Sequence, residues 1–246
     1  MFGAAGRRAV ETQLPALREG LGVDFCVVNG ENAADGRGIT AKIAARLLAA
    51  GADVITLGNW TWGQPGFAPY LNGADRVLRP ANLSPLTPGR GLVVHDGVAV
   101  INLLGAMTLD PFESAFIAAD RLVEEALRET PIVIVDFHAE ATSEKVALAY
   151  HLEGRATAVL GTHTHVQTND ARVLPGGTAA MTDAGMTGPH DSVIGSVPEG
   201  AIRRFLTGYP VRLEPATEGV RIEGALVECG ADGRATRCES VRVPAA

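Results

Sequence analysis

Val23-Asp24-Phe25-Cys26-Val27-Val28, followed at once by Asn29-Gly30-Glu31-Asn32, sets the reading of this chain. A short apolar run rich in β-branched residues, closed by an Asn-Gly turn, reads as a buried strand. The same figure recurs downstream. Asp53 to Leu57 leads into Gly58-Asn59-Trp60-Thr61-Trp62, and Ile132 to Val135 leads into Asp136-Phe137-His138. Thr157 to Leu160 leads into Gly161-Thr162-His163-Thr164-His165. Helical stretches lie between these runs: one from about Thr40, an N-cap, to Ala50 with Gly51 as its stop, and a short one near Phe67 to Leu71. Asp110-Pro111 is expected to open a long helix reaching about Arg128, with Pro in its first turn, and another runs near Ser143 to His151. Gly91 to Val94 and Val98 to Leu103 read as a hairpin around His95-Asp96-Gly97. The tail differs, because Val211 to Leu213, Val220 to Glu228 and Ala235 to Val243 read as strands between Gly-rich turns. Strands alternating with helices and finished by antiparallel strands make one α/β domain over residues 1–246.

Composition narrows the function classes. The chain has 46% hydrophobic and 20% charged residues, an ordinary balance for a water-soluble enzyme. No apolar run approaches the roughly 20 residues of a spanning helix, and Met1 to Arg8 lacks a signal-peptide core, so a cytoplasmic protein is expected. A net charge of −7 argues against an extended nucleic-acid face, which needs clustered Lys and Arg, but leaves room for a small phosphorylated ligand. The three cysteines, Cys26, Cys229 and Cys238, lack metal-binding spacing; Cys26 reads as core, and pairing of Cys229 with Cys238 is not expected. The tail strands could complete a sheet or form a subunit contact, which leaves room for a homo-oligomer.

The chemistry gathers by position. Each polar cluster follows the carboxyl end of an expected strand, and in α/β sheets the loops at those ends converge on the ligand crevice. Together they would assemble one carboxylate, Glu31, two amides, Asn32 and Asn59, and three imidazoles, His138, His163 and His165. That mixture suits divalent Fe, Mn, Zn or Ni. Two such ions, roughly 3.5–4 Å apart, clamp a phosphoryl group and activate water. If Thr162 to Val166 stays extended, His163 and His165 share a face and could each serve a different ion. Taken singly, each residue has an ordinary reading: Asn-Gly pairs make turns, Asp136 orients a neighbour, and His95, His151 and His190 are turn or surface residues.

At these motifs the chain resembles the YmdB-type metallophosphoesterases, a branch of the calcineurin-like superfamily. The stretches that carry the likeness are Asn29 to Ala34, Leu57 to Asn59, Val77 to Asn82, Asp136 to Lys145, Gly161 to Val166 and Thr182 to Pro189. The resemblance implies a four-layer αββα sandwich, two divalent metal ions, Fe or Mn, and hydrolysis of small phosphodiesters such as 2′,3′-cyclic nucleotides. It also implies that Glu31 bridges the ions, that Asn32 and His165 serve one, and that Asn59, His138 and His163 serve the other.

Two departures accompany the likeness. The family pattern begins with a strand ending in Gly-Asp, whose Asp is a metal ligand; this chain starts at the glycine-rich turn that follows, Phe2 to Arg7. The expectation is a misplaced start, with a first strand missing and its neighbours left unpaired. The family pattern also reads Gly-Asn-His-x-Trp, in which that His protonates the leaving oxygen, where this chain has Gly58-Asn59-Trp60-Thr61-Trp62. Trp60 holds the catalytic position without being an acid, since indole N–H only donates hydrogen bonds. The rival expectation is therefore a catalytically weakened metal- or nucleotide-binding regulatory protein.

Overall fold

Apolar runs bounded by turn residues become strands here, and the amphipathic stretches between them become the helices that cover those strands. The computed structural model describes residues 1–245. Helix α1 (Gly3–Leu21) leads to β1 (Val27–Asn29), α2 (Ala41–Ala49), β2 (Val54–Thr56), α3 (Phe67–Gly73) and β3 (Val77–Leu78). Strands β4 (Leu92–His95) and β5 (Val98–Leu104) precede α4 (Ala115–Ala126), β6 (Ile132–His138), α5 (Thr142–His151) and β7 (Ala158–Thr162). The chain ends with β8 (Arg172–Val173), β9 (Ala179–Met181), β10 (Gly188–Pro189), α6 (Pro198–Thr207), β11 (Val220–Cys229) and β12 (Ala235–Pro244).

Strands β1, β2 and β3 form a parallel sheet in that order. A six-stranded sheet runs β4-β5-β6-β7-β9-β8, with β5, β6, β7 and β9 parallel and the two edge strands antiparallel. Side-chain alternation then decides the layers. On β5, Val98 and Val100 meet Val54 and Leu78 of the smaller sheet, whereas Ala99, Ile101 and Leu103 meet Ala115, Leu122 and Leu148 of α4 and α5. On the outer face of the smaller sheet, Ile55, Leu57 and Val77 pack with Val10 and Leu14 of α1 and Ala44 and Leu47 of α2. Burying each large aliphatic side chain contributes roughly 1.5–3 kcal/mol. The result is the expected helix–sheet–sheet–helix sandwich.

The tail completes it. Strands β10, β11 and β12 form an antiparallel sheet, and Val227, Ala235 and Cys238 pack on Ala158, Leu160 and Ala179. Met1 and Phe2 lie between β1 and β10: the Met1 amine donates to Asn29 O at 3.0 Å and Phe2 N to Thr187 O at 2.8 Å.

Several expected elements differ. Residues 3–21 are helical, although Gly3 and Gly6 suggest a turn; Gly6 answers to close packing, since a Cβ there would run into Thr187 O. The helix expected from Asp110 begins at Ala115, because Phe112 N and Glu113 N both donate to Asn82 O, at 3.0 and 3.1 Å. Val211 to Leu213 form no strand; Val197 N donates to Glu214 O instead, beside α6, which the sequence reading lacks. The hairpin at His95 holds, with Asp96 and Gly97 both at positive φ, the turn that suits twisted strands.

Candidate metal centre

The alternation that builds the core also aims the site. Ile132 and Ile134 on β6 face the smaller sheet, so the next residues of that face are Asp136 and His138. By the same period Asn29 follows Val27 on β1, and Thr56 follows Val54 on β2. The apolar inter-sheet seam thus turns polar at the carboxyl ends of the strands.

Asp136 accepts from Asn29 Nδ2 at 3.0 Å, from Thr162 Oγ1 at 2.7 Å and from Thr56 Oγ1. Burial raises its pKa, but three donors leave it only an acceptor's role, so it acts as a carboxylate. Having given its one proton to Asp136, the Thr162 hydroxyl can only accept from His138 Nδ1, 3.0 Å away. In neutral His138 the proton is therefore on Nδ1, and Nε2 is bare.

Around that bare nitrogen stand three more atoms with lone pairs. Glu31 Oε2 is 2.8 Å away, Asn59 Oδ1 3.0 Å and His163 Nδ1 3.0 Å. His163 Nε2 faces Glu140 Oε2 at 3.1 Å and so carries that ring's proton, leaving Nδ1 bare. Burial, then the neighbouring His138, lowers the His163 pKa to about 4, so this imidazole is neutral near pH 7. Glu31 Oε1 accepts from Trp60 N at 2.6 Å, but Oε2 is buried and makes no hydrogen bond. Although burial pushes the Glu31 carboxyl upward, the Trp60 amide and the charge of His138, when that ring is protonated, hold it below its usual range. Lone pairs converging without a proton between them repel, and one positive charge resolves the cluster. A proton on His138 is one such charge: burial lowers its pKa, but Glu31 and Asp136 raise it above the ordinary value. A divalent cation is the other, and ligand atoms of Glu31, His138 and His163 lie within 4.8 Å of one another, so these residues could hold a metal ion. Gly58 makes room, since a Cβ there would collide with the His138 ring.

A second pair adjoins the first. His165 Nδ1 donates to Ile194 O at 3.0 Å, leaving Nε2 bare and 2.8 Å from the Asn32 amide nitrogen. Asn32 Oδ1 is buried without a partner. Half a turn of that amide would aim the unpartnered oxygen beside the bare nitrogen.

His163 and His165 reach their positions differently from the extended reading. Strand β7 ends at Thr162, and the two histidines have φ of 106° and 65°. They meet different partners, His138 and Glu140 for one and Asn32 and Ile194 for the other, on a backbone that turns and not on a continuing strand. Each such conformation costs roughly 1–3 kcal/mol and needs an anchor. Asp183, just beyond β9, supplies it: Oδ2 accepts from Thr164 N at 3.0 Å, Thr164 Oγ1 at 2.8 Å and Lys145 Nζ at 2.9 Å. Lys145 and Asp183 are both buried.

Trp60 gives its backbone amide to Glu31, while its ring is 36% exposed under the Arg37 guanidinium, 4.0 Å from the centroid. The ring is not part of the donor set. His95, His151 and His190 lie elsewhere, beside Asp96, Asp120 and Met186 O. The sequence reading gave no role to Thr162, Lys145, Asp183 or Glu140. All four lie in stretches that carry the family likeness, which is the available signal.

Comparison with known proteins fits this architecture. Residues 1–241 match the model of the family described as YmdB-like protein. The chain is 46% identical over 232 residues to the 2′,3′-cyclic-nucleotide 2′-phosphodiesterase of Bacillus subtilis, covering 93% of this chain and 88% of that one. A hypothetical protein from Thermus thermophilus superposes with a TM-score of 0.92 at 39% identity, covering 100% of this chain and 96% of that one. The crystal structure of a novel phosphatase from Mycoplasma pneumoniae gives 0.91 at 34% identity, with 99% and 90% covered. The chain belongs to the YmdB-like protein family.

Proposed function

We propose that this chain is a metal-dependent phosphoric diester hydrolase acting on small phosphodiesters, 2′,3′-cyclic nucleotides in particular, from a dinuclear Fe or Mn site within one cytoplasmic domain spanning residues 1–246. The observation that carries the reading is the buried His138 Nε2 facing Glu31 Oε2 across 2.8 Å, with Asn59 and His163 completing the ring. Those four residues would hold one ion, and Asn32 with His165 the other, with Glu31 shared between them. Bound divalent ions supply Lewis acidity toward a phosphoryl oxygen and a nucleophilic water near neutral pH.

The chain's own residues do the rest. Asp136 and Thr162 fix the His138 tautomer, so its lone pair needs no reorganisation on binding a cation. Asp183 fixes the turn that presents His163 and His165. When water adds to phosphorus and the ester P–O bond breaks, the departing oxygen needs a proton that Trp60 cannot give. A five-membered cyclic phosphate relieves ring strain as it opens, so it depends less on that proton than an open dialkyl ester does. This supports cyclic nucleotides as the substrate class. The regulatory-protein alternative is disfavoured by the 46% identity to a 2′,3′-cyclic-nucleotide 2′-phosphodiesterase.

The test is turnover of 2′,3′-cyclic AMP and of an activated aryl phosphodiester with Mn²⁺ or Fe²⁺. The chain should turn over both, Glu31→Gln should turn over neither, and Trp60→His should gain up to roughly 10²-fold on an unstrained ester. If the native chain does not exceed Glu31→Gln on either substrate, the enzyme reading fails. Metal analysis should find one ion held more tightly than the other, and two equally tight ions would contradict the unequal shells.

A further inference from the structure

A cavity of about 310 Å³ opens beside the metal centre, and Asn59 belongs to both. Its Oδ1 faces His138 Nε2 at 3.0 Å, so a phosphate held at the donor set lies at the cavity's mouth. The walls are chemically divided. Trp62, Leu83, Leu104 and Leu109 are apolar, and Asp110 adds one carboxylate. Trp62 is 42% exposed, which leaves part of its ring for a partner. Asp110 is exposed, and among the described residues its side chain makes no hydrogen bond or ion pair.

The wall is built before anything binds. The segment bearing Thr108, Leu109 and Asp110 is tied at one end by Ala106 N and Met107 N, which donate to Glu144 at 2.8 and 3.4 Å. It is tied at the other by Phe112 N and Glu113 N on Asn82 O. Between these anchors Thr108 is held at φ 74°. A preformed concave site of this volume, largely apolar with one polar group, matches the usual form of a small-ligand pocket.

We infer that this cavity is the nucleobase subsite, in which Trp62 stacks on the base and Asp110 accepts hydrogen bonds from adjacent N–H groups on its edge. The inference rests on the phosphodiesterase reading for where the phosphate lies. A flat heterocycle is the part of a nucleotide that an exposed indole and three leucine walls recognise. A carboxylate accepts and cannot donate, so it selects an edge with two neighbouring N–H donors. Guanine presents N1–H beside its 2-amino group; uracil presents a lone N–H between two carbonyl oxygens that the carboxylate would repel. The subsite therefore prefers guanine to uracil.

The experiment compares kcat/KM with Mn²⁺ for 2′,3′-cyclic GMP, 2′,3′-cyclic UMP and the base-free 2′,3′-cyclic phosphate of methyl riboside. In the native chain the order should be GMP, UMP, then base-free. Trp62→Ala should lower the ratio of cyclic GMP to base-free substrate roughly tenfold, through KM. Asp110→Asn should lower the GMP-to-UMP ratio roughly tenfold. Unchanged ratios in both variants overturn the subsite, even if overall rates fall. Guanosine alone separates the two readings, because it has no phosphate to hydrolyse. It should quench tryptophan fluorescence in the native chain and lose most of that quenching in Trp62→Phe. If no substrate turns over but guanosine quenches through Trp62, the hydrolase reading fails and the base site stands. Equal quenching in Trp62→Phe overturns the base site.

Discussion

The two halves of the proposed metal centre are built differently. In the Glu31–Asn59–His138–His163 half, His138 ends strand β6, and its tautomer is fixed through Thr162 by Asp136, which is buried between the sheets. In the Asn32–His165 half, His165 stands on a turn with φ 65° and is oriented by a backbone carbonyl, Ile194 O. One half takes His138 from sheet alternation and only His163 from the strained turn. The other depends on a strained turn held by distant residues. The strand-borne half should therefore bind metal more tightly, and the loop-borne half should be the first to lose its geometry when the fold is stressed.

The comparison breaks most directly at the histidines. His138→Asn should lose the tightly held ion and lower turnover of a cyclic nucleotide on the order of 10³-fold, since Lewis-acid stabilisation is worth several kcal/mol. His165→Asn should keep that ion, and Asn tolerates the positive φ of that position. Metal content after Mn²⁺ loading and gel filtration decides it. If His165→Asn emerges with no metal while His138→Asn keeps it, the ranking of the halves is wrong.

The anchor of the turn is the next place to press. Asp183→Asn leaves Lys145 buried without its partner, a loss of about 3–5 kcal/mol. Thermal unfolding should then fall by roughly 10 °C. Replacing both, Asp183→Leu with Lys145→Met, should recover much of that stability yet leave Thr164 unanchored. A double variant with native stability and native metal content in both halves would show that the turn needs no anchor.

That contrast also explains what could be read beforehand. The strand-borne half was legible because its signals are local: apolar runs end in Asn29-Gly30-Glu31, Gly58-Asn59 and Asp136-Phe137-His138, and period-two alternation points them inward. Trp60 was legible as a departure for the same reason. The turn at His163 and His165 was not, because its shape depends on Asp183, which reaches it only when β9 pairs beside β7. Likewise the start of α4 depends on Asn82 capturing two backbone amides 30 and 31 residues ahead of it, a tertiary choice that overrides the Asp-Pro signal. Helix α1 was hidden because Gly6, needed for close approach to Thr187 beside β10, looks like a turn glycine.

The smallest effect lies at the far end of the same turn. Asp170 Oδ1 accepts from Thr168 Oγ1 at 2.7 Å and Thr182 N at 3.1 Å, joining the segment after His165 to the end of β9. Partial burial pushes the Asp170 carboxyl upward, but these hydrogen bonds prevail and hold its pKa below the ordinary value. A carboxylate with a folded pKa below its unfolded one stabilises the fold fully above the unfolded value, and loses that contribution as pH falls through the folded value. Because the group is still partly exposed, solvent screening keeps the contribution to about 1 kcal/mol or less. Asp170→Asn keeps an amide oxygen as acceptor and removes only the charge. At pH 7 it should melt about 2–4 °C below the native chain, and the gap should close in acid as native Asp170 takes up its proton. Hydrogen exchange should show the change around Thr168 and Thr182 while the amides of β6 stay protected. A gap that persists unchanged at pH 2, or loosening that reaches β6 first, would mean that the turn is not the weaker half.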